Sequence, residues 1–310
     1  MGDRYIEEAW RASAERFDQL KLYVNASFET IPRGDVDYRV NLYSSWILLA
    51  YAATEAAFTK LGNASLQTLK VAAGVPGDLP PQLMAAHQKR TLAYLSAQAT
   101  SERKDSNFQD AISHLDSVRW AEFSRLTAID RNVWSDVIRE WCDRLMVAEA
   151  KISWMKAPFG DSSESAASRL DKLVSERNSI AHGEVPENLL GADLMCGWID
   201  DARSFFERCI CAMQAHFVER FGTFDCRHLG EVDEKVTLGP STVAIKKLDV
   251  AVSVGDHVCL VPVGDGAPRV GSIISIQSEG VSLQAVEIGR ERVAIGLSRQ
   301  VRANSLFEVL

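Results

Sequence analysis

The sequence predicts a multidomain α+β protein, in which an all-α helical bundle over residues 1–228 precedes a small β-barrel or β-sandwich over residues 235–310. Two observations support this division. Apolar residues recur every three or four positions as far as Phe221, which is the spacing of amphipathic helices. From Lys235 onward, short β-branched runs alternate with glycine-containing turns, as in small all-β domains. We therefore place a domain boundary near residue 230.

Prolines, glycines and polar clusters divide the helical part into separate elements. Pro32 ends the first helix, Gly62-Asn63 the second, and Gly183 suits the C-terminal cap of the fifth. Asp161 or Ser162 can cap the start of that fifth helix. The expected helices cover 4–28, 38–61, 81–97, 108–155 (as one helix or a pair), 165–182 and 194–221. The second is apolar around most of its circumference, so we expect it to be central.

The C-terminal part reads as short strands separated by glycine turns. The expected strands cover 242–246, 257–262, 270–276, 281–286 and 292–297. Strands of this number and spacing fit a small barrel or sandwich.

Composition narrows the class of protein. The net charge of −8 excludes a broadly basic nucleic-acid coat, so any contact with nucleic acid must be a local patch. No signal peptide opens the chain and its longest apolar run is too short to cross a bilayer, so we expect a cytoplasmic protein. The six cysteines fit buried reduced thiols. Cys226 and His228 lack a second pair at ligand spacing, so neither a metal nor a cofactor is expected.

The segment Arg177-Asn-Ser-Ile-Ala-His182-Gly183 carries the most complete set of reactive groups in the chain. Arg177 falls within the apolar stripe of its helix, in a slot where arginine is rarely buried without a partner. Asn178 and His182 form an adjoining polar strip one turn apart. The long arginine side chain could reach the same phosphate as that strip. His182 lies in the last helical turn, where the partial negative charge of the helix favours imidazolium.

These groups suit RNA cleavage without a metal. The ribose 2′-hydroxyl attacks the adjacent phosphorus, histidine moves protons, and the arginine fork stabilises the extra charge on phosphate. One histidine performs only one proton transfer at a time, so a homodimer that brings two copies to a shared cleft is mechanistically attractive.

A structural alternative stays open on the residues alone. Arg177 could pair with Glu176 or Glu184, and His182 could merely cap carbonyls. Elsewhere, four arginines in the tail form a modest basic cluster that could guide RNA or hold an antitoxin if they share one face. They are Arg290, Arg292, Arg299 and Arg302.

The motif closely resembles the signature of the HEPN superfamily, an arginine followed by a histidine after four to six residues, often with a polar residue directly after the arginine. Arg177 matches the arginine, Asn178 the polar residue and His182 the histidine. The apolar run that ends at Glu55 is similar to an early helix of the family. The resemblance covers residues 35–220 and leaves out the β-rich tail.

The resemblance implies a metal-independent endoribonuclease that acts on RNA as a homodimer. Such domains commonly serve toxin–antitoxin, abortive-infection and antiviral defence systems, so an antitoxin or regulatory protein is an expected partner. Some members are catalytically silent, and the alternative is an adaptor that dimerises while its tail binds a protein, ligand or nucleic acid. A weaker alternative is a domain that a partner transferase modifies on tyrosine.

Overall fold

A computed structural model describes most of the chain. The described residues are 5–30, 35–98, 123–129, 131–159, 163–186, 188–221, 227–233, 239, 241–262, 269–298 and 305–309. The helical part and the β-rich part each bury a hydrophobic core of their own, the first over residues 6–217 and the second over residues 229–297. None of the helices in this described part combines the length and apolar character that crossing a bilayer requires.

Eight α-helices lie within the described residues. They are α1 (Tyr5–Glu29), α2 (Val36–Ala73), α3 (Pro81–Gln98), α4 (Ser124–Thr127), α5 (Ser135–Arg144), α6 (Glu149–Ile152), α7 (Ala166–Ala181) and α8 (Ala192–Phe221), with 3-10 turns at Pro76–Asp78 and Ser153–Lys156. Helix α2 packs against α1, α7 and α8, which confirms its predicted central place.

The helical core is built from large side chains that α2 and α8 bring together. Phe58 of α2 contacts Phe205 and Phe206 of α8 edge-on, at ring centroid distances of 6.2 and 5.4 Å. Trp141 is fully buried and its indole nitrogen donates to the Thr127 carbonyl at 2.8 Å. Burying aromatic groups of this size stabilises the fold by several kcal/mol in total, roughly 1.5–3 kcal/mol for each large apolar side chain. Because α2 packs against α7 and α8, the polar residues on its inner face lie beside those two helices.

The prediction that the second helix ends at Gly62-Asn63 is wrong. Helix α2 continues through both residues to Ala73, and Gly74, with φ of +68°, caps it. Gly62 is buried instead, and a Cβ at this position would lie 2.5 Å from the Thr127 carbonyl oxygen. Glycine stands here because another segment of backbone approaches closely, a role that sequence alone does not separate from helix termination.

We expect Gly62→Ala to lower the free energy of unfolding. Overpacking of this kind costs about 1–3 kcal/mol, which outweighs the gain in helix propensity of up to about 1 kcal/mol. Gly197→Ala is the matched control, because Gly197 is exposed on α8 with open space around it. The control is expected to raise stability by roughly 0.5–1 kcal/mol. Urea denaturation of both variants measures the two effects, and equal stabilisation by both would contradict the close approach at Gly62.

The region from residue 123 to residue 156 departs from the predicted long helix or helix pair. Its described residues form α4, α5 and α6 with irregular chain between them, and residues 108–122 of that prediction lie outside the described part. Met146 follows α5 with φ of +65°, which ends the helical path there. Val133, Val137 and Trp141 are buried as their spacing of four suggests, although Val133 precedes the helix. The buried apolar spacing of four residues thus begins before the start of α5.

The cap of α7 also differs from the prediction. Ser165 caps its start by accepting a hydrogen bond from the Ser168 N–H at 3.1 Å. The predicted caps, Asp161 and Ser162, lie outside the described residues. Three serines and an aspartate precede this helix, so composition alone cannot choose among them.

The β-rich part forms an antiparallel sheet. Its strands pair in the order β1-β10-β5-β6-β9-β3-β2, β7 pairs with β6, and β4 pairs with β8 separately. The strands are β1 (Arg227–His228), β2 (Gly230–Val232), β3 (Thr242–Leu248), β4 (Val252–Ser253), β5 (His257–Pro262), β6 (Arg269–Ser278), β7 (Val281–Leu283), β8 (Ala285–Val286), β9 (Glu291–Leu297) and β10 (Ser305–Val309). In the described strands this path is open, so no closed barrel is found. Strands β1 and β2 lie before residue 235, and the sequence did not indicate β10.

Candidate active site at the end of helix α7

The end of α7 presents His182 at the surface. The His182 N–H donates to the Asn178 carbonyl at 3.0 Å, so the residue closes the last turn. Gly183 follows with φ of +85°, a backbone conformation that glycine adopts without strain, and this turns the chain away from the helix. The His182 side chain is exposed, and among the described residues its imidazole has no hydrogen-bond partner. The ring is therefore open to a ligand.

Arg177 lies one turn earlier and is half-buried. Its guanidinium Cζ lies 4.6 Å from the centroid of the Tyr51 ring on α2. Its Nη1 donates to Asn178 Oδ1 at 2.9 Å. The guanidinium of Arg177 thus lies between an aromatic face and an amide oxygen. A cation–π contact of this kind contributes about 0.5–2 kcal/mol.

Arg177 does not form the ion pair with Glu176 or Glu184 that the alternative reading of the sequence requires. Glu176 accepts a hydrogen bond from the Tyr43 hydroxyl at 3.1 Å instead. Within the described part of the chain, no carboxylate lies within ion-pair distance of Arg177, Glu184 included. The positive charge of Arg177 is therefore not neutralised by a neighbouring acid, which leaves it available to an anion.

Asn178 is held from two sides. Its Oδ1 accepts from Arg177 and also from Asn132 Nδ2, at 3.2 Å for the second bond. Asn132 Oδ1 in turn lies 3.1 Å from the Tyr51 hydroxyl. With Oδ1 of Asn178 used twice, its amide nitrogen is the group left to donate. Tyr51 and Asn132 thus fix the orientation of the Arg177 and Asn178 side chains.

The Tyr51 hydroxyl stays protonated at neutral pH. Burial raises the pKa of this phenol, and the nearby carboxylate of Glu55 raises it further. Hydrogen bonding to the Val133 backbone and the charge of Arg177 oppose these effects without cancelling them. Glu55 is exposed, and its Oε1 lies 3.3 Å from the Tyr51 hydroxyl. The phenol has one proton for two acceptors, so Glu55 and Asn132 compete for it.

Sequence reasoning did not identify Tyr51 or Asn132 as part of the site. Tyr51 lies within the apolar run of α2 and resembles a core residue there. Asn132 lies between α4 and α5, 46 residues before Asn178, in a segment with no motif. Only the packing of α2 and α7 brings these side chains together.

The two tail arginines that the structure describes, Arg290 and Arg292, do not join this cluster. Arg290 donates to Ser278 Oγ at 3.0 Å and lies 3.5 Å from a Glu279 carboxylate oxygen. Arg292 is exposed on β9 with φ of +54°, whereas Arg299 and Arg302 lie outside the described residues. Cys226 also lies outside them, and no group of three potential metal ligands occurs among the residues that the structure describes.

The helical fold, with an arginine and a histidine at the end of one helix, defines the class of HEPN domains. The family model described as RiboL-PSP-HEPN matches residues 11–213, and the chain belongs to this family. HEPN domains are generally of the ribonuclease type. Searches among curated proteins and among solved structures gave no match.

Proposed function

We propose that this protein is a metal-independent endoribonuclease that cleaves RNA by attack of the ribose 2′-hydroxyl on the adjacent phosphorus. The observation that carries the proposal is that an exposed His182 ends the same helix on which Arg177 lies, and that Arg177 has no acidic partner among the described residues. Membership of a family that is generally ribonuclease-like adds independent support.

Each residue of the motif has a role in the proposed reaction. Arg177 binds the scissile phosphate and stabilises the negative charge that grows on its oxygens. His182 takes the proton of the 2′-hydroxyl or gives one to the leaving 5′-oxygen. Asn178 donates from its amide nitrogen to a phosphate oxygen, while its Oδ1 accepts from Arg177 and Asn132. The bond from phosphorus to the 5′-oxygen breaks, and a 2′,3′-cyclic phosphate remains on the upstream fragment.

A homodimer completes the proposed reaction. Cleavage needs a base and an acid together, and one chain offers one such histidine in the motif. Two copies of the chain arranged about a twofold axis supply both, with an Arg177 from each to hold the phosphate. In this proposal the biological setting is a prokaryotic toxin–antitoxin or antiviral defence system, in which a partner protein restrains the nuclease.

Incubation of the purified protein with a 5′-labelled RNA tests the proposal. We expect cleavage that persists in excess EDTA and leaves 2′,3′-cyclic phosphate ends, which phosphatase removes only after acid opening. A substrate with a 2′-deoxy residue at the cleaved position is expected to resist, because the attacking group is missing. Cleavage that EDTA abolishes, or that leaves 5′-phosphate ends directly from water attack, contradicts the mechanism. Absence of any cleavage favours the adaptor alternative.

A further inference from the structure

A cavity of about 620 Å³ lies beside the proposed catalytic segment, between α2, the last turns of α7 and the start of α8. Its volume falls in the range of about 300–1,000 Å³ that is usual for small-molecule sites. Tyr43, Glu176, Ser179, Glu184 and Trp198 are among the residues that line it. Glu176 directly precedes Arg177 and Glu184 lies two residues after His182, so the cavity flanks the motif.

The charged side chains that line this cavity are acidic. Glu176 and Glu184 both line it, and no lysine or arginine does so in the described part of the chain. Neither carboxylate forms an ion pair there. Such a lining repels a phosphate group and attracts a ligand that presents several N–H donors. The cavity is therefore chemically distinct from the Arg177 side of α7.

Tyr43 fixes the orientation of one of these carboxylates. Its hydroxyl donates to Glu176 Oε1 at 3.1 Å, and burial raises the pKa of Tyr43, with the Glu176 charge raising it further. The phenol therefore keeps its proton and remains a donor. This leaves Oε2 of Glu176 for a ligand. The Glu184 N–H donates to the Ser179 carbonyl at 3.0 Å, which holds the backbone of Glu184 close to the end of α7.

We propose that this cavity binds a guanine base of the RNA substrate, next to the phosphate that is cleaved. Guanine presents an N1–H and an exocyclic amine side by side, and a carboxylate accepts from both at once. Adenine and cytosine place an acceptor nitrogen beside their amine, which a carboxylate repels. Trp198, which is partly exposed, supplies aromatic surface of the kind on which bases stack, whereas Tyr43 is buried and contributes its hydroxyl.

The position of the cavity favours a base of the substrate over an arginine from a partner protein. Ser179 and Glu184 both line the cavity and belong to the turn that presents His182. A base covalently linked to a phosphate at His182 is therefore already close to the cavity, whereas a partner arginine gains no such proximity. The inference rests on the proposed ribonuclease activity for the identity of the ligand.

Binding of uncleavable oligonucleotides tests the inference separately from catalysis. The probes are two fluorescent 2′-O-methyl pentanucleotides, one with a central guanine and one with a central adenine, each flanked by uridines. We expect fluorescence anisotropy to show at least tenfold tighter binding of the guanine probe. Glu184→Gln is expected to remove most of this preference, and Tyr43→Phe to reduce it. Glu15→Gln, an exposed change on α1, is the matched control and is expected to leave the preference unchanged.

Equal affinity for the two probes overturns the inference, as does a guanine preference that survives both Glu184→Gln and Glu176→Gln. Competition by an arginine-rich peptide with no discrimination between the probes also overturns it, in favour of a protein partner. Loss of cleavage with an intact, Glu184-dependent guanine preference would instead count against the ribonuclease proposal alone. The two ideas therefore fail in different experiments.

Discussion

Replacement of His182 by alanine is expected to slow RNA cleavage by roughly 10²–10⁴-fold, which is the usual contribution of a general acid or base. The same change is expected to alter the free energy of unfolding by no more than about 0.5 kcal/mol, because the side chain is exposed and only its backbone closes the helix. Alanine keeps the N–H that bonds to the Asn178 carbonyl. Single-turnover cleavage and thermal unfolding of the two proteins measure both effects.

Chemical rescue separates a proton-transfer role of His182 from a structural one. Free imidazole added to His182→Ala is expected to restore part of the cleavage rate, since a small base can occupy the space that the ring leaves. The wild-type rate serves as the control and is expected to change little with imidazole. A variant that cleaves at the wild-type rate, or that loses activity together with its folded structure, would contradict the assignment.

Replacement of Arg177 by lysine is expected to lower the cleavage rate by about 10²–10³-fold although the charge is retained. Lysine offers a point charge in place of a planar fork, and it cannot both stack on Tyr51 and donate to Asn178 as the guanidinium does. The loss in stability is expected to stay within about 1–2 kcal/mol, the size of a cation–π contact and one hydrogen bond.

Arg139→Lys is the matched control for this prediction. Arg139 forms an exposed ion pair with Glu149 at 2.8 Å, away from the motif, and exposed pairs contribute little to stability. We expect this variant to cleave RNA at the wild-type rate and to unfold at the wild-type temperature. A full cleavage rate in Arg177→Lys would show that charge alone suffices and that the fork has no special role.

Local signals explain what the sequence predicts well. Helix α3 and helix α7 match their predicted spans within a residue or two, because a proline starts the first and a glycine follows the second. The motif at the end of α7 is recognisable for the same reason, since Arg177, Asn178 and His182 lie within six consecutive positions. Strands β3, β5, β6 and β9 are also found at their predicted places, where β-branched runs alternate with turns.

Tertiary contacts explain what the sequence does not predict. Gly62 is read as a helix end, and only the close Thr127 carbonyl reveals why a glycine continues the helix there. Tyr51 and Asn132 join the site across long stretches of chain, and neither carries a local pattern. The short pairing of β1 with β10 depends on the two ends of the β-rich part meeting, which periodicity cannot indicate.

The bonds that join Tyr51, Asn132 and Asn178 span 81 and 46 residues of chain, respectively. On the ribosome, Tyr51 emerges long before α7 has been made. Arg177 of α7 can contact the Tyr51 ring only after both α2 and α7 have left the exit tunnel. A truncated or stalled nascent chain that lacks α7 therefore carries no assembled centre. For an enzyme that would attack RNA, this order of assembly delays any damage to the message and ribosome that are producing it.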